Sequence, residues 1–157
     1  KIIHKSDVNG VKLNIKNNEE LKEAFNELKK IKFFEGVVVQ KYIEGKYILA
    51  GLKKDPTFGS VLAFGLGGIY TEILKDVSFR VCPVNKNEIN EMIKEIKSYK
   101  ILEGVRGEVG VNLNSISNIL NKLSELSQKY DIAELDINPL VVNEKGSEIV
   151  DARIVLN

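Results

Sequence analysis

The sequence predicts an α+β fold, a mostly antiparallel sheet packed with helices, and three observations carry that expectation. Short β-branched or alternating runs come in pairs joined by tight turn signals, the pattern of hairpins. Amphipathic stretches at helical spacing interrupt the strands without the strict βαβα alternation of a parallel sheet. Across 157 residues, 43% hydrophobic and 29% charged residues supply a core large enough for one domain or two small lobes.

Taken in order, residues 1–15 read as strand, loop, strand. Two apolar runs flank His4-Lys5-Ser6-Asp7, and Gly10 adds turn chemistry. A loop with a cation, a hydroxyl and a glycine closes readily over phosphate oxygens, and His4 is the chain's only histidine. Asn17 or Asn18 caps a helix expected to run to about Ile31, with Leu21, Ala24, Phe25, Leu28 and Ile31 on one stripe. Residues 36–45 form a β-branched strand that runs into Gln40-Lys41-Tyr42-Ile43-Glu44, with residues 47–53 as its hairpin partner. Residues 60–64 and 69–74 are two further strands about Gly65-Leu66-Gly67-Gly68. No amphipathic helix follows that loop, so a dinucleotide-binding reading fails. Residues 78–83 alternate once more, and Glu72, Asp76 and Arg80 form a short polar constellation.

Asn85 and Glu88 predict a capping box for a helix to about Ser98 with Ile89, Met92, Ile93 and Ile96 inward. Residues 102–107 read as a loop in which Arg106 lies between glycines. A last helix over 115–129 delivers the chain to a closing hairpin. There Glu134, Asp136 and Asn138 share one strand face while Ala133, Leu135 and Ile137 take the other. An even-numbered loop at Asn143-Glu144-Lys145-Gly146 sets Asn138 opposite Asp151. Oxygen ligands converging from adjacent strands, with positions left for water and phosphate, suit Mg²⁺. Asp131, just before this strand, reads as a solvated turn residue.

Charge and composition exclude several classes. A net charge of +1 and a pI near 7.9 leave no footprint for nucleic acid. No apolar run approaches a membrane span and no leader is visible, so no membrane partner is expected and cytoplasmic is the default. The single Cys82 precludes an internal disulfide. The chain opens at Lys1 almost inside a motif, which reads as a fragment of a longer protein.

Five segments together carry a family resemblance. They are His4-Lys5-Ser6-Asp7-Val8-Asn9-Gly10-Val11-Lys12-Leu13, Asp55-Pro56-Thr57-Phe58-Gly59, Phe64-Gly65-Leu66-Gly67-Gly68-Ile69, Lys75-Asp76-Val77-Ser78-Phe79-Arg80 and Glu134-Leu135-Asp136-Ile137-Asn138-Pro139-Leu140. In that order they resemble the ATP-grasp (beta) subunit or domain of ADP-forming acyl-CoA synthetases, relatives of succinyl-CoA synthetase. The resemblance implies an ATP-grasp fold. Residues 1–40 would be a remnant of the smaller lobe and residues 41–157 the larger lobe.

It also implies an ADP-forming acid–thiol ligase that uses Mg²⁺ and ATP/ADP. Asn138 and Asp151 would be the metal ligands, with Asp136 in support. Gln40, Lys41, Tyr42 and Ile43 would meet the adenine edge and Glu44 the ribose, while Lys5 and Gly10 lie against phosphate. His4 would relay the phosphoryl group, with Arg80 as a further catalytic cation. The implied partner is a CoA-binding subunit or domain carrying the phosphohistidine, with CoA and a small carboxylic acid at the shared site. Two other readings are a non-catalytic nucleotide-binding regulatory ATP-grasp module and an ATP-grasp ligase that forms amide bonds through an acyl phosphate. The second chemistry has no need of His4.

Overall fold

The computed structural model describes residues 10–67, 76–105 and 107–157. The chain divides into two compact units, Lys1–Ile43 and Glu44–Asn157. The strand expected at 69–74 lies outside the described residues, as do His4, Lys5 and Glu72 and the loop residue Arg106.

The first unit is built on α1 (Asn18–Leu28). Its cap is Asn17, whose Oδ1 accepts from the Glu20 amide at 2.9 Å, while Glu20 Oε2 accepts from the Lys16 amide at 2.8 Å. One orphan amide donor at the helix start, that of Glu20, is satisfied in this way, and the Glu20 carboxylate also holds the residue before the cap. The helix stops at Leu28, short of the expected Ile31. Residues 29–34 wind into tight turns, with the Ile31 amide on Leu28 O (3.0 Å) and the Phe34 amide on Ile31 O (3.2 Å). That reversal brings Phe34 back onto Phe25, edge to face at 5.9 Å. The expected strands at 11–13 and 36–45 are irregular chain without a ladder, and residues 47–53, expected to pair with 36–45, pair with the strands at 59–66 and 132–142 instead. A strand exists by pairing, and no described strand pairs with either run. Val37 and Val39 instead line a shallow groove with Leu21 and Phe25 of α1.

The second unit has two layers. The strands are β1 (Lys46–Asp55), β2 (Gly59–Leu66), β3 (Val77–Val81), β4 (Ile132–Val142), β5 (Ser147–Ile149) and β6 (Ala152–Leu156). They form one antiparallel sheet in the order β3-β2-β1-β4-β5, with β6 also on β4. Between β3 and β4 come α2 (Lys86–Glu95), α3 (Tyr99–Glu103) and α4 (Leu113–Lys129). Strand alternation sorts the sheet into two faces. Ile48, Ala50, Leu52, Leu62, Phe64, Leu66, Leu135 and Ile137 point to one side and are buried. Against them pack Ile89, Met92 and Ile93 of α2, Leu102 of α3, and Ile116, Leu120 and Leu123 of α4. Each large aliphatic side chain removed from water in this way contributes about 1.5–3 kcal/mol.

The local signals for α2 are present in full. Asn85 Oδ1 accepts from the Asn87 and Glu88 amides at 2.9 and 3.1 Å, and Glu88 Oε2 accepts from the Asn85 amide at 2.7 Å. The helix behind this capping box ends at Glu95 rather than Ser98, and part of the expected loop is the short α3. The cause is Asp76. Its carboxylate accepts from the Lys97 and Ser98 amides, both at 2.8 Å, and from Ser98 Oγ at 2.5 Å. These bonds turn the chain between the two helices.

Candidate metal and nucleotide site

The hairpin β4–β5–β6 begins at its turn. Asn143 closes residues 143–146 as an Asx turn, its Oδ1 accepting from the Lys145 amide at 3.0 Å and the Gly146 amide at 3.3 Å. The Asn143 amide donates to Gly146 O at 3.0 Å. The even loop fixes the register: Leu140 faces Ile149, Ile137 faces Ala152 and Asp136 faces Arg153. Between these pairs the Asn138 amide donates to Asp151 O at 3.2 Å. Asn138 and Asp151 are therefore direct cross-strand neighbours, as the hairpin register predicts.

The outer strand is broken at this point. Residues 150 and 151 belong to neither β5 nor β6. Pro139 has no amide to offer there, and its carbonyl accepts from the Val150 amide at 3.1 Å. Asp151 thus lies at an interruption of the sheet edge.

Glu134, Asp136 and Asn138 project from the face that the helices leave open. On the strand side opposite β6, Gly51 of β1 faces Asp136 and Lys53 faces Glu134. A Cβ at Gly51 would meet Leu135 O at 2.6 Å, so a glycine lets β1 and β4 approach there. Arg153 Nη1 lies 3.5 Å from Glu134 Oε1. Burial pushes the Asp136 carboxyl up from its ordinary range, the charges of Glu134 and Asp151 push it further, and Arg153 opposes them. Charge of one sign is gathered beside Asn138 and Asp151, a condition that a cation relieves.

The donor set fits magnesium. Among the described residues no group of three or more His, Cys, Asp or Glu side chains is placed to hold a metal ion. One carboxylate and one amide oxygen do not make a protein cage. Magnesium commonly takes only one or two carboxylates and completes its shell with water and phosphate.

Arg80 is not brought to this face. It is paired with Leu62, and Ser78 with Phe64, so both point toward the helices. Arg80 Nη2 lies 2.7 Å from Glu95 Oε2 of α2, and its Nη1 donates to Phe79 O at 2.8 Å. Ser78 Oγ joins Glu95 at 3.0 Å. Strand β3 is also three strands from β4, roughly 14 Å at ordinary strand spacing. The polar constellation expected of Asp76 and Arg80 resolves into two separate structural clusters. Apolar content alone misassigns this strand: Phe79 and Val81 are 59% and 50% exposed, while Ser78 is buried. Polar side chains go inward there because Glu95 meets them.

Of the other expected residues, Gly10 lies in irregular chain of the first unit, half-buried. Gln40, Lys41, Tyr42 and Ile43 lie in irregular chain and end the first unit, and Glu44 opens the second. Asp131 is exposed just before β4, as expected of a solvated turn residue, and two exposed partners meet it there. It forms an ion pair with Lys54 and accepts from Asn157 Nδ2 at 2.9 Å. The sequence reading overlooked Lys53, Arg153 and Asn143. The first two follow from carrying the alternation of β4 across to its neighbours. The reach of Asn143 to Glu44 has no local signal, because 99 residues separate them.

With this geometry in view, the relatives are informative. A family model described as an ATP-grasp domain matches residues 1–156. The ADP-forming acetate–CoA ligase I subunit beta of Pyrococcus furiosus is 46% identical, over 99% of this chain and 71% of its own length. The ADP-forming acetate–CoA ligase I of Archaeoglobus fulgidus is 44% identical, and the chain spans only 24% of it. Among solved structures, an acetyl-coenzyme A synthetase 1 of Ca. Korarchaeum cryptofilum in complex with coenzyme A and Mg-AMPPCP superposes with a TM-score of 0.85 at 40% identity. That match covers all of this chain and 72% of the other. No described helix is long and apolar enough to cross a membrane. The chain belongs to the ATP-grasp domain family, with the beta subunits of the ADP-forming acetate–CoA ligases among its members.

Proposed function

We propose that this chain is the nucleotide-binding, phosphoryl-transfer part of an ADP-forming acyl-CoA ligase. The overall reaction is acyl-CoA + ADP + phosphate ⇌ acid + CoA + ATP. The observation that carries the reading is the direct opposition of Asn138 and Asp151 at a break in the sheet edge. It occurs in a chain that matches an ADP-forming ligase subunit over nearly its whole length. Asn138 and Asp151 hold Mg²⁺, and Asp136 adds negative charge beside them. Held there, Mg²⁺ would supply the neutralisation of phosphate charge that makes up most of what phosphoryl transfer asks of a protein.

Gln40, Lys41, Tyr42 and Ile43 meet the adenine edge and Glu44 the ribose. Lys5 and Gly10 close on phosphate, and His4 passes the phosphoryl group toward a CoA-binding subunit or domain that carries the phosphohistidine. Arg80, engaged with Glu95 on the helix side, stands outside this set and ties β3 to α2. The cytoplasm is the expected compartment for these soluble substrates.

The test is phosphoenzyme formation in the complete enzyme with its CoA-binding part. ATP labelled in its γ-phosphate should give an acid-labile, base-stable phosphohistidine that needs Mg²⁺ and disappears on adding ADP. Replacing His4 by Ala should slow its formation. Labelling that is unaffected by removal of Mg²⁺ and by loss of His4 would overturn the reading.

A further inference from the structure

We propose that Asn143 is a positioning residue for nucleotide binding, one that fixes the chain at Glu44 without touching the nucleotide. The inference rests on the functional reading above for the role of Glu44, and its geometry stands independently. Asn143 Nδ2 donates to Glu44 O at 2.9 Å. The next residue, Gly45, lies so close to β4 that a Cβ would meet Val142 O at 2.5 Å and Val141 Cγ1 at 2.9 Å. The residue after it, Lys46, forms an ion pair with Glu108 at 2.7 Å. Three consecutive residues are therefore held, each by a different means, where the chain enters the second unit.

Asn143 is placed to do this because every other polar group it owns is already engaged. Its Oδ1 takes the Lys145 and Gly146 amides. Its carbonyl accepts from the Asn112 amide at 2.8 Å, the residue that caps α4. The side chain cannot swing without giving up the turn. Among the described residues, the one bond it spends outside the hairpin and α4 is that on Glu44 O. That carbonyl belongs to the residue assigned to the ribose, directly after the segment assigned to adenine. Substrate-positioning contacts lose much of their value when the supporting residues shift, even by about 1 Å.

The two amide atoms have separable jobs, and this makes the inference testable. In Asn143→Asp the carboxylate still accepts from Lys145 and Gly146. It has no donor for Glu44 O and meets that carbonyl with a like partial charge. Gly45→Ala displaces the same segment from the other side and leaves Asn143 intact. In the complete enzyme with its CoA-binding part, both variants should raise KM for ADP about tenfold, the scale of one lost hydrogen bond with an unpaired acceptor. The kcat should stay within about twofold. Amide exchange over residues 44–46 should quicken without ADP, whereas exchange at Lys145 and Gly146 in Asn143→Asp should stay slow.

Wild-type KM values in both variants overturn the proposal, and so does a loss confined to kcat. A wild-type enzyme with no ADP-dependent turnover overturns the functional reading and, with it, the nucleotide role. In that case faster exchange at 44–46 would still locate the anchor, and unchanged exchange would remove the anchor as well.

Discussion

Asp151→Asn in the complete enzyme is the most direct test of the opposed pair. The substitution keeps size and one oxygen but removes the charge, on a residue whose carbonyl still accepts from the Asn138 amide. Residue 151 is exposed at the sheet edge and fills no core space, so the fold should survive. A metal that neutralises phosphate charge supplies several kcal/mol of transition-state stabilisation, and each ~1.4 kcal/mol is tenfold in rate. Weakening one of the two proposed ligands should lower kcat/KM by about 10²-fold at limiting Mg²⁺, with partial recovery as Mg²⁺ is raised. The control must remove a carboxylate with no structural task. Asp131 does not qualify, since it holds Lys54 and Asn157. Glu91 on the exposed face of α2 does, and Glu91→Gln should stay within about 0.5 kcal/mol of wild type, or roughly twofold. The assay is kcat/KM for ATP formation across a Mg²⁺ titration. Superimposable Mg²⁺ curves for Asp151→Asn and Glu91→Gln would refute the assignment and leave the hairpin as scaffold.

Two further outcomes follow from other parts of the second unit. Arg80→Met should leave kcat/KM within about twofold of wild type while lowering the melting temperature, because its partners are Glu95 and Phe79 O on the helix side; a loss of 10²-fold or more at unchanged stability would restore a catalytic role. Asp76→Ala should cost about 2 kcal/mol near neutral pH, since three hydrogen bonds that turn the chain between α2 and α3 vanish together. Burial pushes the Asp76 carboxyl up, but hydrogen bonds from Ser98 Oγ and from the Lys97 and Ser98 amides outweigh it, and the native pKa lies below the ordinary value. The stability is therefore present above the ordinary carboxylate range and lost as pH falls through the depressed native pKa, so wild type and variant should converge in acid. Urea midpoints measured from pH 7 down to pH 3 check this, and a gap that widens in acid would contradict it.

The sequence by itself determined the parts of this protein whose signals are local. The capping box at Asn85 and Glu88 and the Asn17 cap need only neighbouring residues. The Asn143–Gly146 turn has an even length, and that fixed register alone carries Asn138 to Asp151. Alternation along residues 134–138 separated an open face from a core face for the same reason, whereas at the register irregularity before Glu134 it is Ile132, not Ala133, that is buried. Five ordered motifs carried the family as well.

Tertiary structure decided what depends on partners distant in the chain. Whether residues 37–40 become a strand rests on a neighbouring strand, and no described strand supplies it. Which face of β3 turns inward is set by Glu95, since Ser78 and Arg80 have their hydrogen-bonding partner there, and Phe79 stays exposed. The end of α2 is set by Asp76, 21 and 22 residues before the amides it binds. The hold of Asn143 on Glu44 spans 99 residues. Periodicity reports the faces of an element and the signals at its ends. It carries no information on what packs against those faces, and in this chain that decided which partners Arg80, Asp131 and Asn143 meet.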